Sequence, residues 1–289
     1  MALVTVAAAD GTELSVRDSG RRSGPVVLLC DGIGCDGYIW RYLRPHLEKT
    51  CRVVHFHYRG HGQSAIPGDR ATLTIEQCAD DAWQVLERLG VQSAVLIGHS
   101  MGVQVILEAA WRQPQRATAL VALCGAFERP LDTFHGSDLG HRLLPLVTGA
   151  ALRWSTGLRD LWQRAVPTEW AWRLAVATEL NPAMVRRDDF LPYLQHMARM
   201  DPVIFVQYLQ SVAEHSARAW LRSLAMPVLI VAGERDNFTP AGVSRQMTHL
   251  LPNATYCLVP AGSHAAPIEL PDLIELKVDA FARRHALWG

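Results

Sequence analysis

Residues 94–110 read Ala94-Val95-Leu96-Ile97-Gly98-His99-Ser100-Met101-Gly102-Val103-Gln104-Val105-Ile106-Leu107-Glu108-Ala109-Ala110. The apolar run 94–97 predicts a buried strand and the residues from 103 onward predict a helix, with a serine between two glycines at the junction. A turn this sharp is strained and crowded, and side chains at 98 and 102 would meet neighbouring backbone. Ser100 is thereby held at the apex of a nucleophile elbow, within reach of a base.

A serine nucleophile needs a general base to take its proton and an acid to orient that base. Downstream, Pro227-Val228-Leu229-Ile230-Val231-Ala232-Gly233 predicts a parallel strand that runs into Glu234-Arg235-Asp236. This places Asp236 at the strand's C-terminal edge, with Glu234 as a rival carboxylate. The stretch Thr255-Tyr256-Cys257-Leu258-Val259-Pro260 predicts another strand, and Ala261-Gly262-Ser263-His264 follows it. Loops at the C-terminal edge of a parallel sheet converge on one crevice, so Ser100, Asp236 and His264 are expected to meet there. The order serine, acid, histidine matches that of one group of hydrolases.

On the elbow from Gly98 to Gly102, the acid loop Gly233-Glu234-Arg235-Asp236 and the segment Gly262-Ser263-His264, the chain resembles the α/β-hydrolase superfamily along nearly all of its length. The resemblance implies an α/β fold: a mostly parallel eight-stranded sheet flanked by helices, with an inserted helical lid. The implied division is a core domain over 1–126 and 223–289, interrupted by a cap over 127–222. Members such as haloalkane dehalogenases and epoxide hydrolases place Asp at the elbow, where this chain has Ser100.

The run Pro25-Val26-Val27-Leu28-Leu29-Cys30 predicts a strand leading into Asp31-Gly32-Ile33-Gly34-Cys35-Asp36-Gly37, a literal match to Gly-x-Gly-x-x-Gly. A dinucleotide site would need this loop to open a helix and an acid at the end of the next strand. The next strand, from Arg52 to Arg59, has no acid, although Arg59 would suit a 2′-phosphate. The family resemblance assigns the same glycines to an oxyanion loop, whose N–H donor is Ile33 or Gly34, with a second donor from Met101. Relatives commonly have His-Gly where Asp31-Gly32 stands and an Asp where His57 precedes Tyr58-Arg59-Gly60-His61-Gly62-Gln63-Ser64. An exchanged pair, Asp31 with His57, is therefore expected to brace the loop.

Between the strand Ala119–Gly125 and the strand at Pro227 the parallel-sheet pattern stops for about a hundred residues. Trp154, Trp162, Trp170, Trp172 and Trp220 lie here with Leu143, Leu144, Leu146 and Leu152. Pro167, Pro182, Pro192 and Pro202 divide the stretch into four or five expected helices. Most of its apolar residues are expected to pack the lid on the core and the remainder to line a greasy pocket. Arg153, Arg159 and Arg164 among apolar neighbours also admit an interfacial role for residues 143–166.

At 289 residues with a formal net charge of +0, the chain suits one domain plus an insertion and shows no nucleic-acid footprint. The opening residues 1–11 lack the charged start and cleavage site of a signal peptide and read instead as a strand turning at Asp10-Gly11. No stretch reaches the ~20 uninterrupted apolar residues of a membrane span. Cys30, Cys35, Cys51, Cys78, Cys124 and Cys257 have no metal-ligand or disulfide spacing and read as free thiols of a cytoplasmic protein.

The resulting expectation is a serine hydrolase that cleaves esters of hydrophobic acyl or aryl compounds through an acyl-enzyme, with no cofactor or metal and a small hydrophobic ester as its partner. Hydrogen peroxide or an alcohol in place of water would give a perhydrolase or acyltransferase. A thioester or lactone substrate fits the same constellation. A non-catalytic binder and a dinucleotide enzyme are the readings from other classes.

Overall fold

A computed structural model describes residues 2–132, 137, 139–178 and 180–288. The chain opens with β1 (Ala2–Ala7) and β2 (Glu13–Asp18), an antiparallel hairpin whose turn places Gly11 at φ +81°. Then follow β3 (Val26–Cys30), the short helix α1 (Leu43–Leu47), β4 (Arg52–Phe56), α2 (Ile75–Arg88), β5 (Ala94–His99), α3 (Met101–Arg112) and β6 (Ala117–Leu123). Five helices come next: α4 (Leu139–Arg153), α5 (Ser155–Ala165), α6 (Glu169–Thr178), α7 (Arg187–Arg199) and α8 (Pro202–Glu214). The chain then re-enters the sheet with β7 (Val228–Gly233), α9 (Ala241–Leu250), β8 (Ala254–Val259), α10 (Ala266–Glu269) and α11 (Pro271–Arg284).

The eight strands form one sheet in the order β1-β2-β4-β3-β5-β6-β7-β8, antiparallel at the β1, β2 and β4 pairings and parallel from β4 onward. Central strands buried on both faces carry uninterrupted apolar runs rather than alternation, as β5 and β7 do. Successive side chains still point to opposite faces. Leu96 joins the core beneath α2, α3 and α9, whereas Val95 and Ile97 join the one beneath α1 and α11. The six cysteines are free, and all but Cys257 are buried.

The helical insertion, α4 to α8, leaves and rejoins the sheet at a narrow neck. Glu128 and Ser216 form an isolated antiparallel bridge, the Arg129 N–H donates to the His215 carbonyl at 3.1 Å, and the Ala217 N–H donates to the Phe127 carbonyl at 2.9 Å. Arg218 also pairs with Glu128 there.

Pro167 and Pro182 fall between helices and Pro202 opens α8, but Pro192 lies inside α7 rather than at a boundary. Burial of Phe190, Leu194 and Met197 on the same helix outweighs the one hydrogen bond that proline forfeits. Of the lid tryptophans, Trp162, Trp172 and Trp220 are half-buried, while Trp154 and Trp170 are exposed, as are Leu143, Leu146 and Leu152. Leu144 is buried. Among the described residues, no helix is long and apolar enough to cross a membrane.

Candidate active site

Ser100 sits between β5 and α3 with φ 55° and ψ −120°, a conformation that L-residues rarely adopt. The flanking glycines are sterically required. A Cβ on Gly98 would lie 2.2 Å from the Gly102 carbonyl oxygen, and one on Gly102 would lie 2.1 Å from that of Cys30. The expected elbow is therefore present, and it turns the serine hydroxyl toward the loop after β8.

His264 lies in that loop, its Nε2 2.9 Å from Ser100 Oγ and its Nδ1 3.0 Å from Asp236 Oδ2. Asp236, in the loop after β7, is 4% exposed. Its Oδ1 accepts the N–H groups of Phe238 and Thr239 at 2.9 and 2.8 Å, and Oδ2 also accepts the Thr239 hydroxyl at 2.8 Å. A carboxylate this well supplied with donors is an acceptor only, so Nδ1 of His264 carries the proton. Nε2 then presents its lone pair to Ser100. The rival Glu234 is engaged elsewhere, accepting the Ala261 N–H at 2.8 Å.

The His264 loop is held from several directions. Glu269 accepts the Ser263 N–H and hydroxyl at 2.8 and 2.6 Å and also takes the Asn181 N–H at 2.8 Å, joining the insertion to the loop. His99 Nε2 donates to the His264 carbonyl at 2.9 Å. Burial and then the neighbouring His264 push His99 down to about 3, so its ring is neutral.

The loop after β3 departs from one of the two expectations attached to it. The imidazole that meets Asp31 is His55, at 2.8 Å, and the second carboxylate oxygen accepts the Trp40 indole N–H at 2.6 Å. His57, two residues along, instead accepts the Gln63 N–H at 3.0 Å through Nδ1. Parallel pairing sets Leu29 opposite His55, which brings that ring beside Asp31. Burial opposes the Asp31 charge, yet His55 and Trp40 keep its carboxyl below the usual carboxylate range.

The same loop distinguishes between the two candidate oxyanion donors. The Gly34 N–H is donated to His61 Nε2 at 3.1 Å, and His61 Nδ1 faces the Arg59 carbonyl at 3.4 Å. Of the two candidates in this loop, Ile33 therefore keeps its N–H. Met101 opens α3, where an N–H has no partner within the helix. Burial pushes His61 down to about 4, and its neutral ring can accept from Gly34. In the sequence His61 stands only within a glycine-rich match; its signal is a histidine whose own turn folds back beside the loop.

The dinucleotide reading finds no support in this geometry. The loop enters a 3₁₀ turn, Tyr38–Trp40, rather than a long helix. Arg59 is fully buried, with Asp81 at 2.7 Å and Asp10 at 2.7 Å. That guanidinium is committed to the protein.

A cavity of about 160 Å³ opens beside Ser100 and His264. Its wall includes Tyr38, Phe190, Tyr193, Leu194 and Phe238, so the greasy lining comes from tyrosine, phenylalanine and leucine rather than from the lid tryptophans. Among the described residues, no group of three or more His, Cys, Asp or Glu is placed to hold a metal ion.

A family model described as alpha/beta hydrolase fold matches residues 25–271. A polyketide synthase, ThaQ, from Burkholderia thailandensis is 29% identical over 276 residues, which cover 94% of this chain and 12% of that much longer protein. A putative carbamate hydrolase, RutD, from a Caulobacter species is 26% identical over 281 residues, covering 96% of this chain and 97% of its own. Among solved structures, a hydrolase from Pseudomonas aeruginosa superposes with a TM-score of 0.80 at 22% identity, over 96% of this chain and 97% of that one.

Proposed function

Because the chain belongs to the α/β-hydrolase fold family, we propose that it is a serine hydrolase cleaving carboxylic esters of hydrophobic acyl or aryl compounds through an acyl-enzyme intermediate. The observation that carries this reading is the relay Ser100–His264–Asp236, with contacts of 2.9 and 3.0 Å on a serine held at positive φ. Ser100 Oγ attacks the acyl carbon while His264 Nε2 takes its proton. Asp236 fixes the tautomer and stabilises the imidazolium that forms. The N–H groups of Ile33 and Met101 receive the oxyanion, each worth about 3 kcal/mol of transition-state stabilisation. His264 then returns the proton to the leaving oxygen, and water, activated by the same base, releases the acid.

The apolar cavity supports a hydrophobic substrate. The carbamate named in the Caulobacter relative favours one second reading, since a carbamate presents the same carbonyl to the same serine. Labelling by a fluorophosphonate probe, followed by parallel assays on aryl esters and aryl carbamates, tests both. Label and turnover are expected in the parent protein and should vanish in Ser100→Ala, whose kcat is expected to fall by roughly 10⁴–10⁶. A folded Ser100→Ala protein that retains parental turnover would overturn the scheme.

A further inference from the structure

The space around Ser100 is divided very unequally. On one side lies the chamber of about 160 Å³. On the other lies a chamber of about 10 Å³, bordered by Ile33, Met101, Gln104, Leu209, Val212 and Thr239. His264 borders the large chamber and not the small one, while Met101 borders only the small one.

Proton delivery decides which half of an ester goes where. When the tetrahedral intermediate collapses, the leaving oxygen must receive a proton from His264 Nε2. The leaving group therefore belongs in the chamber that His264 borders. With the oxyanion directed to the Ile33 and Met101 amides, the acyl substituent is left with the small chamber.

Size then fixes the chemistry. The small chamber lies at the lower end of the ~10–15 Å³ that one water-sized probe occupies, so it leaves no room for an acyl substituent longer than a methyl group. A dry cavity of roughly 150 Å³ holds benzene, and the large chamber is of that order. Its wall suits an aromatic ring: Tyr38 and Tyr193 stack at 4.7 Å, and Phe190 meets Tyr38 edge-on at 5.9 Å. Burial pushes the Tyr38 hydroxyl and the Cys35 thiol well up, so neither brings charge to this wall.

We infer that the preferred substrates are esters of a very short acyl group, acetyl in size, with a benzene-sized aromatic alcohol. This deepens the serine-hydrolase reading and rests on it. In the step implied, Ser100 Oγ bonds to the acetyl carbon, the acyl C–O bond to the aryl oxygen breaks, and the proton taken by His264 passes to the departing phenol. Water then adds to the acetyl-enzyme, the Ser100 C–O bond breaks, acetate leaves, and a proton returns to Ser100.

The test is kcat/KM across phenyl acetate, phenyl butanoate, phenyl hexanoate, benzyl acetate, ethyl acetate and 2-naphthyl acetate, for the parent protein and for Leu209→Ala and Leu194→Ala. Phenyl acetate is expected to exceed phenyl hexanoate, and benzyl acetate, whose leaving alcohol is matched in acidity, to exceed ethyl acetate, by at least tenfold in each case. Leu209→Ala should narrow the acetate-over-butanoate ratio at least fivefold, and Leu194→Ala should favour the naphthyl ester. A hexanoate rate equal to or above that of the acetate overturns the assignment of the two chambers. So does an unchanged acetate-over-butanoate ratio in a folded Leu209→Ala protein. Absence of both turnover on every ester and labelling at Ser100 would instead overturn the hydrolase reading itself, and the chamber assignment with it.

Discussion

Two carboxylates follow β7, and only their hydrogen bonds distinguish them. Asp236 reaches His264, whereas Glu234 is spent on the Ala261 N–H and has no path to rescue its neighbour. Asp236→Asn is therefore expected to lower kcat by about 10⁴, the cost of the wrong histidine tautomer, with Glu234→Gln remaining within a few-fold of the parent. Kinetics on any turned-over ester check both. His61 offers a second test at this scale. His61→Phe removes the acceptor of the Gly34 N–H and should loosen the oxyanion loop, lowering kcat by roughly tenfold or more with little change in KM. An unaltered kcat in a folded protein would show that the loop holds its donors without His61. Ser100, Asp236 and His264 were legible because each follows an apolar run that had to be a strand. The partner of Asp31 was not, since His55 in β4 and His57 just past its end stand two residues apart and only the register with β3 selects between them.

The elbow works because α3 packs against the end of β3 at backbone contact. Gly102 has no room for even a methyl group, with Cys30 and Asp31 carbonyl oxygens 2.1 and 2.7 Å from where a Cβ would stand. Both obstacles are backbone and cannot swing aside. Gly102→Ala is expected to cost several kcal/mol and to leave little soluble protein, as a thermal melt or expression trial would show. An Ala substitution at Gly149 meets nothing within 4 Å and serves as the control. Strands and helices of the core were readable from periodicity. Pro192 does not divide the insertion, because the about 3 kcal/mol that a helix-interior proline costs is offset by the burial of Phe190 and Leu194, which no local pattern reports.

Among the described residues, burial pushes His57 down to about 3, His61 to about 4 and His99 to about 3, and it lowers His196 as well. The unfolded chain binds these protons near pH 6.5, well before the folded chain does. Protonation therefore favours unfolding. The stability that depends on these rings is complete above about pH 6.5, shrinks as pH falls, and is exhausted only near pH 3–4. Unfolding in urea should show a loss of at least about 2 kcal/mol between pH 7 and pH 5, and a flat profile would contradict the burial of neutral rings. None of this was legible in the sequence, where the twelve histidines look alike. Burial distinguishes them, and burial is a property of the whole fold. The neck at Phe127–Arg129 and His215–Arg218 carries its own consequence. A segment whose two ends already touch can vary in length without pulling the strands on either side of it apart. This region is thus a cassette whose exchange would leave the sheet and the relay Ser100–His264–Asp236 in place while replacing the walls that α7 and α8 give the chambers, so that specificity can change while the bond-breaking machinery is inherited.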